Sequence, residues 1–146
     1  SKLLIMKLSP NVTSIEDIAI GAENGGADAV SAINTLVGMG IDIKTRQMKI
    51  HTTFGGLSGP AIKPVALANV HKIFKTVHIP IIGIGGISCM EDVIEFVLAG
   101  ADLVQIGTLN YRELGIAVRL ADELDQYCQK NDLSSIHDLK GLAQYH

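Results

Sequence analysis

The sequence predicts an α/β fold: the C-terminal half of a TIM (β/α)8 barrel, with four βα units and a closing helix. Three observations carry this. Four short apolar runs each lead into a stretch with helical periodicity. The chain also repeats itself. Gly26-Ala27-Asp28-Ala29-Val30, followed by Asn34-Thr35, parallels Gly100-Ala101-Asp102-Leu103-Val104, followed by Gly107-Thr108. Each copy runs helix end, tight turn with Asp, strand, then a small polar residue at the strand's carboxyl end, the repeat from which such barrels are built. Finally, an open doubly wound sheet lacks its fingerprint. Gly83-Ile84-Gly85-Gly86-Ile87-Ser88 has no glycine at the third required position, and no acidic residue ends the second strand. A four-stranded piece leaves two open edges and an unfilled centre, which a barrel removes by closing. Residues 1–146 therefore read as part of one barrel domain, and self-association into a homo-oligomer is expected.

Leu3–Leu8 reads as the first strand, closed by Ser9-Pro10-Asn11. Thr13 or Ser14 then caps a helix with Glu16 and Asp17 in its first turn, where acidic groups suit the dipole. Its apolar face is Ile15, Ile18, Ala19 and Ala22, and Gly25-Gly26 ends it. Ala29–Ile33 is the second strand. Asn34 to Pro60 is long and rich in glycine, the form of a lid or binding loop. Ile41-Asp42-Ile43 and Met48-Lys49-Ile50 alternate and suggest a small hairpin within it.

Pro64 suits the first turn of a helix whose core face is Ala66, Val70, Ile73, Phe74 and Val77. Ile79–Ile84 is the third strand, apolar enough to be covered on both faces, and it runs straight into Gly85-Gly86. Ser88 with Glu91 forms a capping-box pattern that opens the next helix. Its stripe is Met90, Val93, Ile94, Val97 and Leu98, stopped by Gly100. Leu103–Ile106 is the fourth strand. A helix from about Arg112 to Gln129 buries Ala117, Leu120, Ala121, Leu124 and Cys128. Ser134-Ser135 caps a last short helix with Ile136, Leu139, Leu142 and Ala143 inward.

Composition is that of an ordinary globular protein, 47% hydrophobic and 18% charged. A net charge of −3 points to neither nucleic acid nor an anionic membrane as partner. No signal peptide or run of about 18 apolar residues is present, so a cytoplasmic protein is expected. The chain opens on Ser-Lys-Leu-Leu-Ile-Met almost directly in a strand, which reads as the middle of a protein. Cys89 and Cys128 are isolated and read as ordinary thiols. His51, His71, His78, His137 and His146 show no metal-ligand spacing, so no metal is expected.

Chemistry in a barrel sits at the carboxyl ends of the strands, with phosphate held by the last two βα loops. Those ends carry Lys7, then Ile33-Asn34-Thr35, then Gly85-Gly86, then Gly107-Thr108. A glycine turn between strand and helix N-terminus aims bare amides outward along a favourable dipole, a natural phosphate seat. Lys7 is a cation ending an apolar strand, either meeting a negative charge or snorkelling to solvent. Asn34 and Thr35 offer donors and acceptors for a planar polar ligand, or simply close a turn. The case rests on all four groups sharing one rim.

Five segments together resemble class 1 dihydroorotate dehydrogenases, in the right order over nearly the whole chain. They are Lys7–Thr13, Ile33–Met39, Gly55–Pro64, Ile79–Gly86 and Gln105–Thr108. Ile-Asn-Thr-Leu-Val-Gly-Met (Ile33–Met39) is most similar to the class 1B catalytic subunit, which works with a partner subunit carrying FAD and an iron–sulfur cluster. The resemblance implies an FMN-binding domain over residues 1–146, oxidising dihydroorotate to orotate in pyrimidine synthesis. It implies Lys7 beside the flavin's pyrimidine ring, and Ile33 and Gly59 against the flavin or its ribityl chain. Gly85, Gly86, Gly107 and Thr108 would hold the FMN phosphate, and Asn34 and Thr35 the orotate. The family's cysteine base lies in the first half of the barrel and has no counterpart here, so no catalytic residue is assigned and the chain alone is expected to be inactive. Two other readings compete: the pyrimidine-reducing flavin barrel of dihydropyrimidine dehydrogenase, and a non-catalytic half-barrel that only binds a phosphorylated ligand. A phosphate-binding isomerase or aldolase barrel ranks below them, having no need for Lys7 beside a flavin.

Overall fold

A computed structural model of the chain describes residues 2–144. The strands are β1 (Ile5–Leu8), β2 (Ala29–Ala32), β3 (Leu36–Gly38), β4 (Gly55–Leu57), β5 (Ile81–Ile84) and β6 (Leu103–Gln105). The helices are α1 (Ile15–Asn24), α2 (Lys63–Phe74), α3 (Met90–Ala99) and α4 (Ile116–Lys130). Short 3-10 turns cover Pro60–Ile62, Thr108–Tyr111 and Ile136–Leu139.

The main sheet is parallel in the order β1-β2-β5-β6, so each strand lies beside the next one in the chain. Helices α1, α2, α3 and α4 pack successively on one another along one face of that sheet. This singly wound arrangement is half of a (β/α)8 barrel and rules out the doubly wound alternative.

Register explains which residues form the core. Leu8, Val30, Ala32 and Ile81 point toward the helices and are at most 2% exposed. On the other face Lys7, Ser31 and Ile82 align, as do Ile84 and Gln105. This is the barrel's inner face, and Ile5 and Leu103 on it remain exposed. The repeated Gly-Ala-Asp turns do the same job twice. Asp28 accepts the Leu4 amide at 2.8 Å and Asp102 the Ile81 amide at 2.9 Å, each tying a turn to the start of the neighbouring strand.

Several elements differ from expectation. Ser14 caps α1, accepting the Asp17 amide, but Ile18 is exposed while Ile15, Ala19 and Ala22 are buried. Helix α3 is capped from Cys89, and its box is closed by Asp92 rather than Glu91. The Asp92 carboxylate, one residue further on, reaches back to the amides of both Ser88 and Cys89. The wholly buried Phe96 joins its core face. Helix α4 starts at Ile116, after a turn, and buries only Ile116 and Leu120. Packed at the end of the helix layer against α3, it sinks a single i, i+4 row, so Ala117 and Ala121 face solvent while Leu124 and Cys128 are half-buried. The last helix is a 3-10 turn with Ile136 and Leu139 half-buried, and Leu142 and Ala143 exposed. The expected hairpin at Ile41 and Met48 is a single bridge. The regular antiparallel pair is β3 with β4, closer to the sheet.

Among the described residues no three potential metal ligands cluster, and His146 lies outside them. No described helix is long and apolar enough to cross a membrane.

Candidate functional site

The carboxyl ends of the four parallel strands open onto a cleft of about 290 Å³. Lys7 enters it from the inner face of β1, one residue before the buried Leu8. Past β2 the chain is held on both sides: the Ile33 amide donates to the Ile84 carbonyl and the Asn34 amide to the Leu8 carbonyl, each at 2.8 Å. The Ala32–Ile33 peptide bond is cis. Ile33, Asn34 and Thr35 all line the cleft.

The loop after Ser9 clamps this segment. Asn11 Nδ2 donates to the Thr35 carbonyl at 2.9 Å, and Asn11 Oδ1 accepts the Val37 amide at 2.9 Å. Asn34 Oδ1 is occupied by the Thr35 amide at 3.0 Å, leaving its Nδ2 as the group to offer a ligand.

At the end of the neighbouring β5, Gly85 and Gly86 carry φ values of 136° and 77°, open to glycine and strained for other residues. A Cβ on Gly86 would stand 2.8 Å from the Lys63 amide nitrogen, so this loop's backbone rests directly on the start of α2. Gly107 and Thr108 complete the rim. Thr108 Oγ1 donates to Ser58 Oγ at 3.0 Å, joining the loop after β6 to the Ser58-Gly59 loop before α2. Among the described residues, the amides of Gly86, Gly107 and Thr108 donate to no group within the chain.

All nine positions singled out from sequence therefore face one cleft. The structure adds residues that sequence reasoning passed over. Ser58 lies inside the glycine-rich segment already noted, Gln105 follows from period-two alternation along β6, and Arg112 sits in the loop before α4. In the sequence Asn11 reads as a turn residue. Its position after Pro10 resembles an ordinary turn, and no local signal marks it as a clamp.

Charge in the cleft is one-signed. Lys7 and Arg112 are cations, and no Asp, Glu, His or Cys lies among its described lining residues, in a chain whose net charge is −3. The nearest thiol, Cys89, belongs to the α3 cap, where burial pushes its pKa up. The cleft is built to hold an anion beside an apolar wall.

A family model described as dihydroorotate dehydrogenase matches residues 1–128. The chain is 49% identical over 140 residues to the dihydroorotate dehydrogenase B (NAD(+)), catalytic subunit, of Parabacteroides distasonis, covering 96% of this chain and 46% of that protein. It is 50% identical over 143 residues to the protein of the same name from Carboxydothermus hydrogenoformans, covering 98% and 47%. A third relative of that name, from Geobacter metallireducens, is 48% identical over 143 residues, covering 98% and 47%. The chain thus spans about half the length of the curated relatives it matches.

Proposed function

Because this chain belongs to the dihydroorotate dehydrogenase family, we propose that its cleft seats FMN at a barrel mouth and faces dihydroorotate as it is oxidised to orotate, in pyrimidine synthesis. The observation that carries this reading is convergence. Residues nominated from separate segments between Lys7 and Thr108 line a single cleft with no carboxylate in it.

The residues suit such a group. At one end, unpaired amides at Gly86, Gly107 and Thr108 and the hydroxyls of Ser58 and Thr108 match a phosphate. Gly59 adds backbone without a side chain. At the other end, the apolar Ile33, the amide Nδ2 of Asn34 and the hydroxyl of Thr35 match a planar polar ring. FMN, when bound, supplies the acceptor for the hydride. Lys7 presents its ammonium where negative charge develops, an electrostatic stabilisation set in place before the reaction. Asn34 and Thr35 orient the substrate ring.

Proton abstraction is assigned to a residue outside this chain, because the described cleft lining offers no Cys, His, Asp or Glu. In this reading residues 1–146 are the last four βα units of one FMN-binding barrel domain. The relatives' name, catalytic subunit of an NAD(+) enzyme, supports a partner subunit; electron transfer through FAD and an iron–sulfur cluster on that partner is what the resemblance to the class 1B subunit implies. A cytoplasmic, oligomeric protein completes the proposal.

The test is the intact mass and visible spectrum of the full-length protein, followed by addition of dihydroorotate. A mass near twice 15.5 kDa, flavin absorption that bleaches with dihydroorotate, and FMN released on denaturation are expected. The 146-residue chain alone should form no orotate. A full-length protein that binds no flavin would refute the reading.

A further inference from the structure

The loop between β6 and α4 brings Arg112 to the wall of the cleft. After Thr108–Tyr111 the chain turns, with the Arg112 amide donating to the Leu109 carbonyl at 2.9 Å, and reaches α4 only at Ile116. The carboxylate beside Arg112 is committed elsewhere. Glu113 Oε1 accepts from Arg119 Nε at 2.7 Å and Glu113 Oε2 from Arg119 Nη2 at 3.1 Å, a two-pronged pair anchored on α4. Arg119 also pairs with Glu123 at 2.7 Å. Arg112 is left with no hydrogen bond or ion pair from its side chain among the described residues, and it lines the cleft.

Its position is as telling as its freedom. Lys7 stands at the end of β1 and Arg112 follows β6, at opposite edges of the β1-β2-β5-β6 sheet. Three strand spacings separate those edges, about 14 Å. A ligand touching both cations is elongated and carries its strong negative charge at the Gly107 end, where the unpaired amides are.

We propose that Arg112 is a ligand-binding residue that pairs its guanidinium with the phosphate of a phosphorylated ring ligand, and so makes the cleft select the phosphorylated over the unphosphorylated form. The planar fork of an arginine suits two phosphate oxygens, which backbone amides alone address singly. This inference rests on the flavin reading above and adds the residue that supplies charge selectivity.

The experiment titrates the full-length protein with FMN and with riboflavin, following flavin fluorescence, for the wild type, Arg112→Ala and Arg112→Lys. Arg112→Ala should weaken FMN about tenfold and leave riboflavin unchanged, with Arg112→Lys between. Added salt should narrow the gap between the two flavins in the wild type and much less in Arg112→Ala. Equal FMN affinity in wild type and Arg112→Ala overturns the assignment while leaving the flavin reading intact. A parallel loss of riboflavin also overturns it, because that marks a structural role. A wild-type protein that binds neither flavin rejects both.

Discussion

Lys63 Nζ lies 2.6 Å from Asp92 Oδ1, and through that contact the N-termini of α2 and α3 are locked together beneath the cleft. Asp92 is 4% exposed and uses its second oxygen for the Ser88 amide and Ser88 Oγ, both at 2.7 Å. Lys63 also meets Glu95 at 2.8 Å. Since Gly86 packs against the Lys63 backbone, one buried carboxylate holds two of the loops that shape the rim.

The pair makes stability depend on pH. Burial opposes charge on Asp92, but the hydrogen bonds from Lys63 and Ser88 prevail and bring its carboxyl down from 3.8 to about 2. Between those values the unfolded chain binds more protons than the folded one, so this contribution is complete above about pH 5 and fades as acid approaches pH 2. The Lys63 ammonium is raised above 10.5, so its share is complete below that pH and is lost only in stronger alkali. Asp92→Asn should cost about 2 kcal/mol at pH 7 and flatten the acid limb. Urea midpoints at pH 7 and pH 3 measure both, and an unchanged midpoint at pH 7 would refute the account.

Gly83 and Phe96 are a matched pair. A Cβ on Gly83 would overlap Phe96 Cδ1, and Phe96 is wholly buried between α3 and the sheet. Gly83→Ala should destabilise by about 1–3 kcal/mol through overpacking. Adding Phe96→Leu should recover part of that loss, although Phe96→Leu alone is destabilising. Double-mutant denaturation decides; strictly additive losses would show that the two do not share space.

Two glycines of the rim separate folding from binding. Gly86 is at positive φ against Lys63, whereas nothing lies within 4 Å of a Cβ on Gly107. Gly86→Ala should lower both the melting temperature and FMN affinity. Gly107→Ala should melt like the wild type and still bind FMN more weakly, its methyl adding bulk beside the Gly107 and Thr108 amides that would face phosphate. Thermal melts with and without FMN distinguish them, and undiminished FMN binding by Gly107→Ala would count against the phosphate seat there.

Removing the Asn11 clamp should loosen the ring end of the cleft. Asn11→Ala orphans the Thr35 carbonyl and the Val37 amide, at a cost of about 1 kcal/mol. Asn11→Asp keeps the acceptor for Val37 but loses the donor to Thr35. Hydrogen exchange at the Val37 amide should quicken strongly in Asn11→Ala and little in Asn11→Asp. Equal protection in all three proteins would show that Asn11 does not hold this segment in place.

The sequence alone determined the barrel-type order of strands and helices, because a 3.6-residue apolar stripe or a short aliphatic run is a local pattern. Asp28 and Asp102 in matching turns, Gly100 ending α3, and the strand-end positions from Lys7 to Thr108 were all legible that way. Tertiary structure decided what depends on partners distant in the chain. It chose Ile116 over Arg112 as the start of α4, buried Phe96 against Gly83, and exposed Ile18. It paired Leu36–Gly38 with Gly55–Leu57, closed the α3 cap through Asp92 and set Lys63 against that carboxylate. The eight strand-end residues were readable one by one, with Gly59 added by the family resemblance, but that they share a cleft follows from the strand order. Arg112 shows the limit most plainly. Its sequence neighbour is an acid, and only the fold turns Glu113 toward Arg119 and sets Arg112 on the wall of the cleft. Periodicity encodes which face of an element is buried; which charges meet is set by the space between elements.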